Sequence, residues 1–480
     1  MPMMPPPRLL PLAAALLLLA GCAATGEQPA LRQPVAAESL GLSRQPLAPI
    51  PADWWRGLND PTLNRLLETT LQQSPDLDVA AARLRQAQAA IELADSQLGP
   101  QAALAADGNA IYHDLLSQRS SIVSQLFGET ISRGSLQLKG QWSLDLWGQH
   151  RSESAAALGK ERATAYETAH ARLLLAQAVT AQYLQLQALQ TQQALLQQRL
   201  AVKNEQEPLL RDRIRAGYLP ASQLYPLQSA QRQFQVAIHD LDHKAAQIRH
   251  ALAALSGQSP TALAELTAES PRPLPPPPAH TLSADLLGKR PDIAAQREAI
   301  LARGHLVDAA RARFYPDIKI SALAGWSTIK IGELPSSRSL IAGLLPSISL
   351  PIFTSGALRA NLAQKQAEFD EQVARYNKTV YQALREAADA LSHYQAAQTA
   401  GRLQQDTVRL AERSAAAARD RFRGGLDTKL AWLSAQDEVL NTRSQLEQSR
   451  LQQRLAWVSL HTAFGGGFSS PDTQAAETAR

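Results

Sequence analysis

Apolar and polar positions along the chain follow two periods, and the switch between them divides it into elements. Leu136, Leu138, Gly140, Trp142, Leu144 and Leu146 alternate with Gln137, Lys139, Gln141, Ser143 and Asp145. Ile318, Ile320, Ala322, Ala324 and Trp326 alternate with Lys319, Ser321 and Ser327 in the same way, and Ile348, Leu350 and Ile352 with Ser347, Ser349 and Pro351. Period two predicts strands with one residue set on each face. A fourth strand, over Ala102 to Tyr112, carries the weakest alternation. Long tracts of helical spacing separate these segments, with Leu175, Val179, Tyr183 and Leu186 on one face and Leu451, Leu455 and Val458 on another. They predict helices over Gln149 to Arg215, Ser222 to Leu255, Ala357 to Arg423 and Thr428 to Ala463. The first, if continuous, is about 100 Å long at 1.5 Å per residue. Earlier helices run from Pro61 and over Asp76 to Gln97.

The pattern occurs twice. Gly148, Arg151, Asp212, Arg213, Gly217, Gln228 and Gly257 each recur 208 residues later as Gly356, Arg359, Asp420, Arg421, Gly425, Gln436 and Gly465. Upstream, Pro75-Asp76 and Pro100 recur at an offset of 216 as Pro291-Asp292 and Pro316. A duplication of this length makes each half one structural unit. The first repeat spans residues 51–270 with its strand hairpin at about 102–147, and the second spans 285–467 with its hairpin at about 317–353. A proline-rich linker, residues 271–284, joins them, and the Ser/Thr/Ala-rich tail 468–480 reads as disordered.

The first 21 residues carry Arg8, an apolar run from Leu9 to Ala20, then Gly21 before Cys22. This is the layout of a secretory signal peptide. Leu19-Ala20-Gly21-Cys22 is also a lipobox, in which the cysteine thiol receives diacylglycerol and, after cleavage of the bond before it, the cysteine becomes the new N-terminus and carries an N-acyl chain. Cys22 is the only cysteine of 480 residues, so an internal disulfide and a cysteine metal site are both excluded. Ala23, rather than Asp, follows it, which in enterobacteria-like sorting directs a lipoprotein to the outer membrane. Residues 22–50 then form a lipid-tethered linker rich in Pro, Ala, Gln and Ser. The net charge of +5 is dispersed among acids, a solvated surface rather than a phosphate-binding patch, so nucleic acid is not an expected partner. No stretch after Cys22 is apolar for long enough to span a bilayer as a helix, so any crossing must use strands. Four strands cannot close a barrel, whereas three copies would pool twelve. The same alternation also fits a half-buried antiparallel sheet, and the helices alone fit a coiled-coil stalk.

Catalytic signatures are absent: the chain has no glycine-rich phosphate loop and no nucleophile elbow. His239 and His243, four apart on a helix, read as solvated surface residues rather than metal ligands. The matched turns Asp212-Arg213-Ile214-Arg215-Ala216-Gly217 and Asp420-Arg421-Phe422-Arg423-Gly424-Gly425 each stop a long helix. A glycine past the helix end and arginines against the negative dipole account for the local sequence. Their equivalent placement in the repeat adds that both tips point the same way, so an oligomer gathers them around one opening.

Several segments together resemble the TolC-like outer-membrane factors, in particular the NodT-type outer-membrane efflux lipoproteins. They are Asp53-Trp54-Trp55 with Leu58-Asn59-Asp60-Pro61, Trp142 through Gly148 leading to Arg151, and Lys289-Arg290-Pro291-Asp292-Ile293. Ala312-Arg313-Phe314-Tyr315-Pro316, Leu350-Pro351-Ile352-Phe353 with Gly356, and Arg421 through Gly425 complete the set. The resemblance implies an α+β fold in which a trimeric outer-membrane β-barrel, four strands per chain, is continuous with a long α-helical periplasmic barrel. It implies a homotrimer and a passive export duct for drugs or small toxic compounds. It also implies two partners, a periplasmic adaptor and an inner-membrane transporter. No cofactor is implied beyond the acyl groups on Cys22, and no enzymatic activity. The tunnel entrance and the adaptor-docking surface fall on Arg213, Arg215, Gly217, Arg421, Arg423, Gly425 and Asp427, with Leu430 at a family constriction. Acidic gate positions of the family hold Ala431 and Ser434 here, which predicts a weaker preference for cations at the entrance. A type I protein-secretion duct shares this architecture, and a structural periplasmic coiled-coil lipoprotein is the reading from another class.

Overall fold

A computed structural model describes residues 30–43, 48–112, 130–331 and 337–468. The segment read as a signal peptide, Cys22 and most of the tail lie outside the described residues. In chain order the elements are α1 Pro61–Gln73, α2 Pro75–Asp95, β1 Gln101–Tyr112, β2 Thr130–Leu144, α3 Gln149–Arg215 and α4 Leu224–Leu255. The second half holds α5 Leu286–Lys289, α6 Pro291–Ala312, β3 Asp317–Ile331, β4 Ser337–Ser349, α7 Ala357–Arg423 and α8 Lys429–Ala463. α3 and α7 are each 67 residues long, about 100 Å at 1.5 Å per residue. α3 is continuous through Pro208, even though proline offers no amide to the helical ladder there.

The elements fall into two units. The first comprises Arg85–Ala163 and Gln296–Tyr376, with the N-terminal segment to Pro34. Its strands form one antiparallel sheet in the order β1-β2-β3-β4, so β1 and β4 are both edges. The register settles what each face carries. Paired rows such as Leu144–Ile318–Ile348, Leu104–Leu138–Ala324–Ala342 and Ala106–Leu136–Trp326–Leu340 share one apolar face. The other face carries Gln101, Gln137, Lys139, Asp107, Ser135 and Lys319. The fourth strand differs from expectation. It occupies Ser337–Ser349, whereas the period-two reading centred on Ile348–Ile352, and Leu350 and Ile352 follow its end. The reason is that Ile341 and Leu345 sit on the opposite face from Leu340 and Leu344, which blurs the alternation.

Where strands give way to helices, two indoles fix the junction. Trp142 Nε1 donates to the Leu98 carbonyl at 3.0 Å, and Trp147 Nε1 donates to the Pro316 carbonyl at 2.8 Å. The Trp147 ring stacks on Tyr315 with centroids 4.9 Å apart. Asp145 accepts from the backbone N–H groups of His150 and Arg151 at the start of α3. Burial pushes the Asp145 carboxyl up, but those bonds outweigh it and hold the group below the usual range. Gly159 of α3 faces Ala302 of α6, and Val307, Ala310 and Leu362 pack as a small core.

The second unit comprises Val35–Leu84, Thr164–Ala295 and Asn377–Arg480. Its core gathers Trp54, Trp55, Leu63, Leu67, Val179, Tyr183, Leu252, Leu286, Trp457 and Phe464. The sequence motifs around it have structural jobs. Asp60 caps α1, accepting from Thr62 N and Leu63 N at 3.0 Å each, and also accepts the buried Tyr183 hydroxyl at 2.8 Å. Arg290 is buried, pairs with Asp292 and Glu386, and donates to the Ala463 carbonyl at 3.2 Å. It thereby ties the start of the second repeat to the end of α8. Gly465, at φ +92°, lies so close to the Lys289 carbonyl that a Cβ there would sit 1.9 Å from that oxygen.

Candidate functional site

The ends of α3 and α7, with α4 and α8, belong to the second unit. The two turns that end α3 and α7 have the same backbone. Ala216 N donates to Asp212 O, Gly217 N to Ile214 O and Tyr218 N to Arg213 O, each at 3.0 Å. At the second tip Gly424 N donates to Asp420 O, Gly425 N to Phe422 O and Leu426 N to Arg421 O, at 2.9–3.1 Å. Gly217 and Gly425 take φ of +77° and +71°, the left-handed conformation that lets the next N–H reach back to the helix. The residue thrust outward by each turn is apolar: Tyr218 is 79% and Leu426 81% exposed. Sequence reasoning named the glycines and arginines of the tips but not these two side chains. Their signal was present, since they too are 208 residues apart.

The remaining tip residues are spread over several tasks. Arg215 pairs with Asp212 on its own helix. Arg421 approaches Asp427 at 3.4 Å, and Asp427 Oδ1 also accepts from Thr428 N at 2.7 Å. Asp427 is therefore engaged locally. Thr428 caps α8 through Ala431 N. Phe422 and Trp432 stack at 5.8 Å and brace the second tip across the turn. Leu430 is half-buried, and the fully buried neighbour is Leu433. Ser434 accepts from Gln206 Nε2 at 3.4 Å. Arg213 and Arg423 lie on the last turns of α3 and α7, where their charge opposes the negative helix end.

Above the tips, α3 meets α8 along a seam that joins the two repeats. Val202, Leu433 and Leu440 are buried together there, with Leu195 and Leu209 against them. Asp437 is set between two cations, Arg199 Nε at 2.9 Å and Lys203 Nζ at 2.8 Å, and Arg199 also donates to Asn441 at 3.1 Å. All three charged side chains are less than one-fifth exposed. Burial pushes the Asp437 carboxyl up, but hydrogen bonds from Arg199 and Lys203 more than offset it and hold it below the usual range. The guanidinium of Arg199 also lies 4.8 Å from the Phe234 ring centroid. Lys429 pairs with Glu205 nearer the tips, at 3.5 Å. The sequence reading did not identify this cluster. A single carboxylate on a long helix reads as solvated, and only its absence from the other repeat, where Ser229 stands, marks it.

The arrangement offers walls, seams and tips rather than reacting groups. Among the described residues no three His, Cys, Asp or Glu side chains are placed to hold a metal ion. His239 and His243 are exposed on α4. Among the described residues no helix is long and apolar enough to cross a membrane.

Comparison with known proteins agrees with this geometry. The chain is 30% identical to the multidrug resistance outer membrane protein MdtP of Escherichia coli K12, covering 94% of this chain and 95% of that protein. It is 29% identical to the antibiotic efflux pump outer membrane protein ArpC of Pseudomonas putida, over 98% of both. Among solved structures, the outer membrane protein VceC of Vibrio cholerae superposes with a TM-score of 0.73 at 30% identity, covering 88% of this chain and all of that one. The outer-membrane channel OprN superposes at 0.75 and 26% identity, covering 92% and 97%. Residues 66–258 and 282–466 match the outer membrane efflux protein family, one segment in each repeat. The chain is therefore a bacterial outer-membrane efflux channel protein with an α+β fold rather than an enzyme, and it belongs to the outer membrane efflux protein family.

Proposed function

We propose that three copies of this chain assemble into a passive export duct for drugs or small toxic compounds. The observation that carries the trimer is the open sheet. β1 and β4 present unpaired backbone along two edges, and one face is apolar over five paired rows, from Leu144 to Leu136 on β2. Those eight residue steps span roughly 27 Å of strand, which at a tilt near 40° rises about 21 Å and covers most of an apolar band about 25 Å tall. Unpaired strand edges are not tolerated in lipid, so the sheet must be completed by other copies. Three give an even twelve strands. The exposed aromatic and aliphatic side chains Trp147, Tyr315, Ile352 and Phe353 mark the boundary at the helix-proximal end.

In this reading α3, α4, α7 and α8 from each copy form the wall of a periplasmic tunnel. The tips with Tyr218 and Leu426 form its entrance and the docking surface for a periplasmic adaptor, which links the duct to an inner-membrane transporter. Cys22 carries the lipid. Drug-like substrates follow from what MdtP and ArpC are named for. With Asp427 engaged by Arg421, and Ala431 and Ser434 following it, the entrance has no acidic ring and prefers cations only weakly.

Three measurements test this. The unheated protein on a denaturing gel should run as a trimer that heat converts to monomer. A photo-crosslinking residue at Leu426 should capture a periplasmic adaptor in cells. Labelled palmitate should enter the wild type and not Cys22→Ser. A heat-insensitive monomer would refute the shared barrel, and capture of no adaptor would refute the docking role of the tips.

A further inference from the structure

The proline-rich stretch that joins the two repeats bounds a cavity of about 560 Å³ with α7 and α8, all of it in the second unit. Leu274 and the prolines from Pro271 to Pro277 line it, together with Tyr394 of α7 and Arg450, Gln453 and Arg454 of α8. Two of its polar groups are buried without a matching partner. Arg454 is 7% exposed, and among the described residues its one hydrogen bond runs to the Gln187 amide oxygen at 3.3 Å. Gln187 is fixed in that orientation, because its Nε2 donates to the Glu269 carbonyl at 2.6 Å. Glu447, the acid whose charge reaches Arg454, is itself paired with Arg450 at 2.5 Å. Arg272, also lining the cavity, pairs with Glu269 at 3.5 Å. The Arg454 charge is therefore left over, and no acid lines the cavity. Tyr394 is 5% exposed, and its hydroxyl has no partner among the described residues. Burial pushes its pKa up, so it stays a proton donor.

The duplication supplies an internal control. At the offset of 208, Tyr394 and Arg454 match Leu186 and Ala246, and Arg450 matches Asp242. Leu186 is fully buried. The helices of the first repeat thus pack at these positions with neither a hydroxyl nor a cation. Burying an unpaired charge costs free energy, so packing alone gives no reason for Arg454. We propose that the cavity binds a small organic anion, a carboxylate or phosphate carried on an apolar body. A guanidinium has five N–H donors in a planar fork, of which Gln187 engages one, and the rest can donate to two oxygens of the anion at once. The Tyr394 hydroxyl donates to the same group. Leu274 and the prolines cover the apolar body, and the volume is that of a small-ligand site. Because the linker, α7 and α8 all contribute, the bound anion ties the connection between the repeats to both helices. The site stands independently of the export duct.

The full purified protein in detergent is titrated by calorimetry and unfolded by heat with four probes: benzoate, phenyl phosphate, inorganic phosphate and uncharged benzamide. Benzoate or phenyl phosphate should bind saturably and raise Tm, the tighter of the two naming the anionic group, and benzamide should do neither. Arg454→Met keeps an unbranched apolar stem and removes the charge. It should raise the Tm of the ligand-free protein, since an unpaired buried charge is gone, while binding weakens by at least about tenfold. Tyr394→Phe should weaken binding by about threefold, the loss of one neutral hydrogen bond. A purely structural Arg454 predicts the reverse, a lower Tm and unchanged affinity. No saturable binding of either organic anion to wild type, or binding that survives Arg454→Met, overturns the proposal. Inorganic phosphate binding as tightly as phenyl phosphate overturns it too, because the site would then hold an adventitious ion only. Should Arg454→Met fail to fold, Tyr394→Phe decides, and unchanged affinity in that variant overturns the proposal.

Discussion

Replacing Asp437 by Asn keeps the shape of the α3–α8 seam but leaves Arg199 and Lys203 without the carboxylate they share. Their side chains are 19% and 17% exposed, so water compensates little of the lost charge. Removing one partner of a buried pair costs about 3–5 kcal/mol, and with this residual hydration we expect the low end, about 3 kcal/mol. The cost is local, because the cluster lies between α3 and α8 near Val202 and Leu433, with Phe234 of α4 against Arg199. Opening of the seam should become easier by a factor of roughly 150, at about 1.4 kcal/mol per tenfold. Hydrogen exchange followed by mass spectrometry reads this directly, over residues 195–209 and 433–440. Exchange over Leu63–Leu67, in the same unit but packed in the tryptophan core, should not change. Adding Lys203→Met to Asp437→Asn removes one unpaired cation and should recover about 1 kcal/mol. The pH dependence has a fixed sign. The folded carboxyl titrates below its unfolded value near 4, so its contribution is complete at pH 6 and is lost as pH falls through the folded value. As pH falls below about 4 and through the folded value, the protection factors of wild type over this seam should therefore decline toward those of Asp437→Asn, each corrected for intrinsic exchange at the same pH. A change under fivefold, or equal acceleration in the tryptophan core, would refute the reasoning.

Further predictions concern the core that holds this seam in place. Tyr183→Phe removes the donor to Asp60 and the acceptor for Glu269 N, leaving two buried groups short, and should lower stability by about 2 kcal/mol, read as a lower Tm. His461 lies buried against Trp54 and Trp457, and burial pushes its pKa down to about 4. The unfolded chain takes up that proton near pH 6.5 and the folded one does not, so stability should fall by about 2 kcal/mol between pH 7 and pH 5. His461→Phe should remove that part of the slope, and an unchanged slope would assign it elsewhere. Gly465→Ala places a Cβ against the Lys289 carbonyl at a left-handed φ and should abolish accumulation of folded protein, whereas Gly217→Ala, with open space around it, should cost only about 1 kcal/mol.

How much the sequence disclosed depended on which signal each element carries. The long helices were legible because heptad-like apolar spacing persists for dozens of residues and the repeat supplies a second reading of each. β2 and β3 were legible because Leu136, Leu138, Trp142 and Leu144, and Ile318, Ile320 and Trp326, recur on one face, with Leu323 the one large apolar residue opposite them within those runs. β1 was faint because Ala102, Leu104 and Ala106 share that face while Ala103 and Ala105 share the other, so alanine hides the period. β4 was displaced because both of its faces carry large apolar residues and because Pro346 interrupts it, which an edge strand accepts. At the tips, the glycines were visible through their turn chemistry, but Tyr218 and Leu426 gain meaning only once the turn is seen to thrust them outward. The Asp437 cluster depends on a pairing between helices more than 200 residues apart, which helical periodicity alone does not encode.

The central claim is that this chain is the outer-membrane exit of an efflux route, and export itself tests it most directly. Cells lacking the gene and cells carrying it again are loaded with a fluorescent dye, and its loss is followed after energy is restored. Loss should be slow in the deletion and return to the wild-type rate on complementation, with Gly425→Pro at the second tip failing to complement although its trimer still forms. Equal loss with and without the chain, in a strain stripped of other outer-membrane channels of this family, would contradict it.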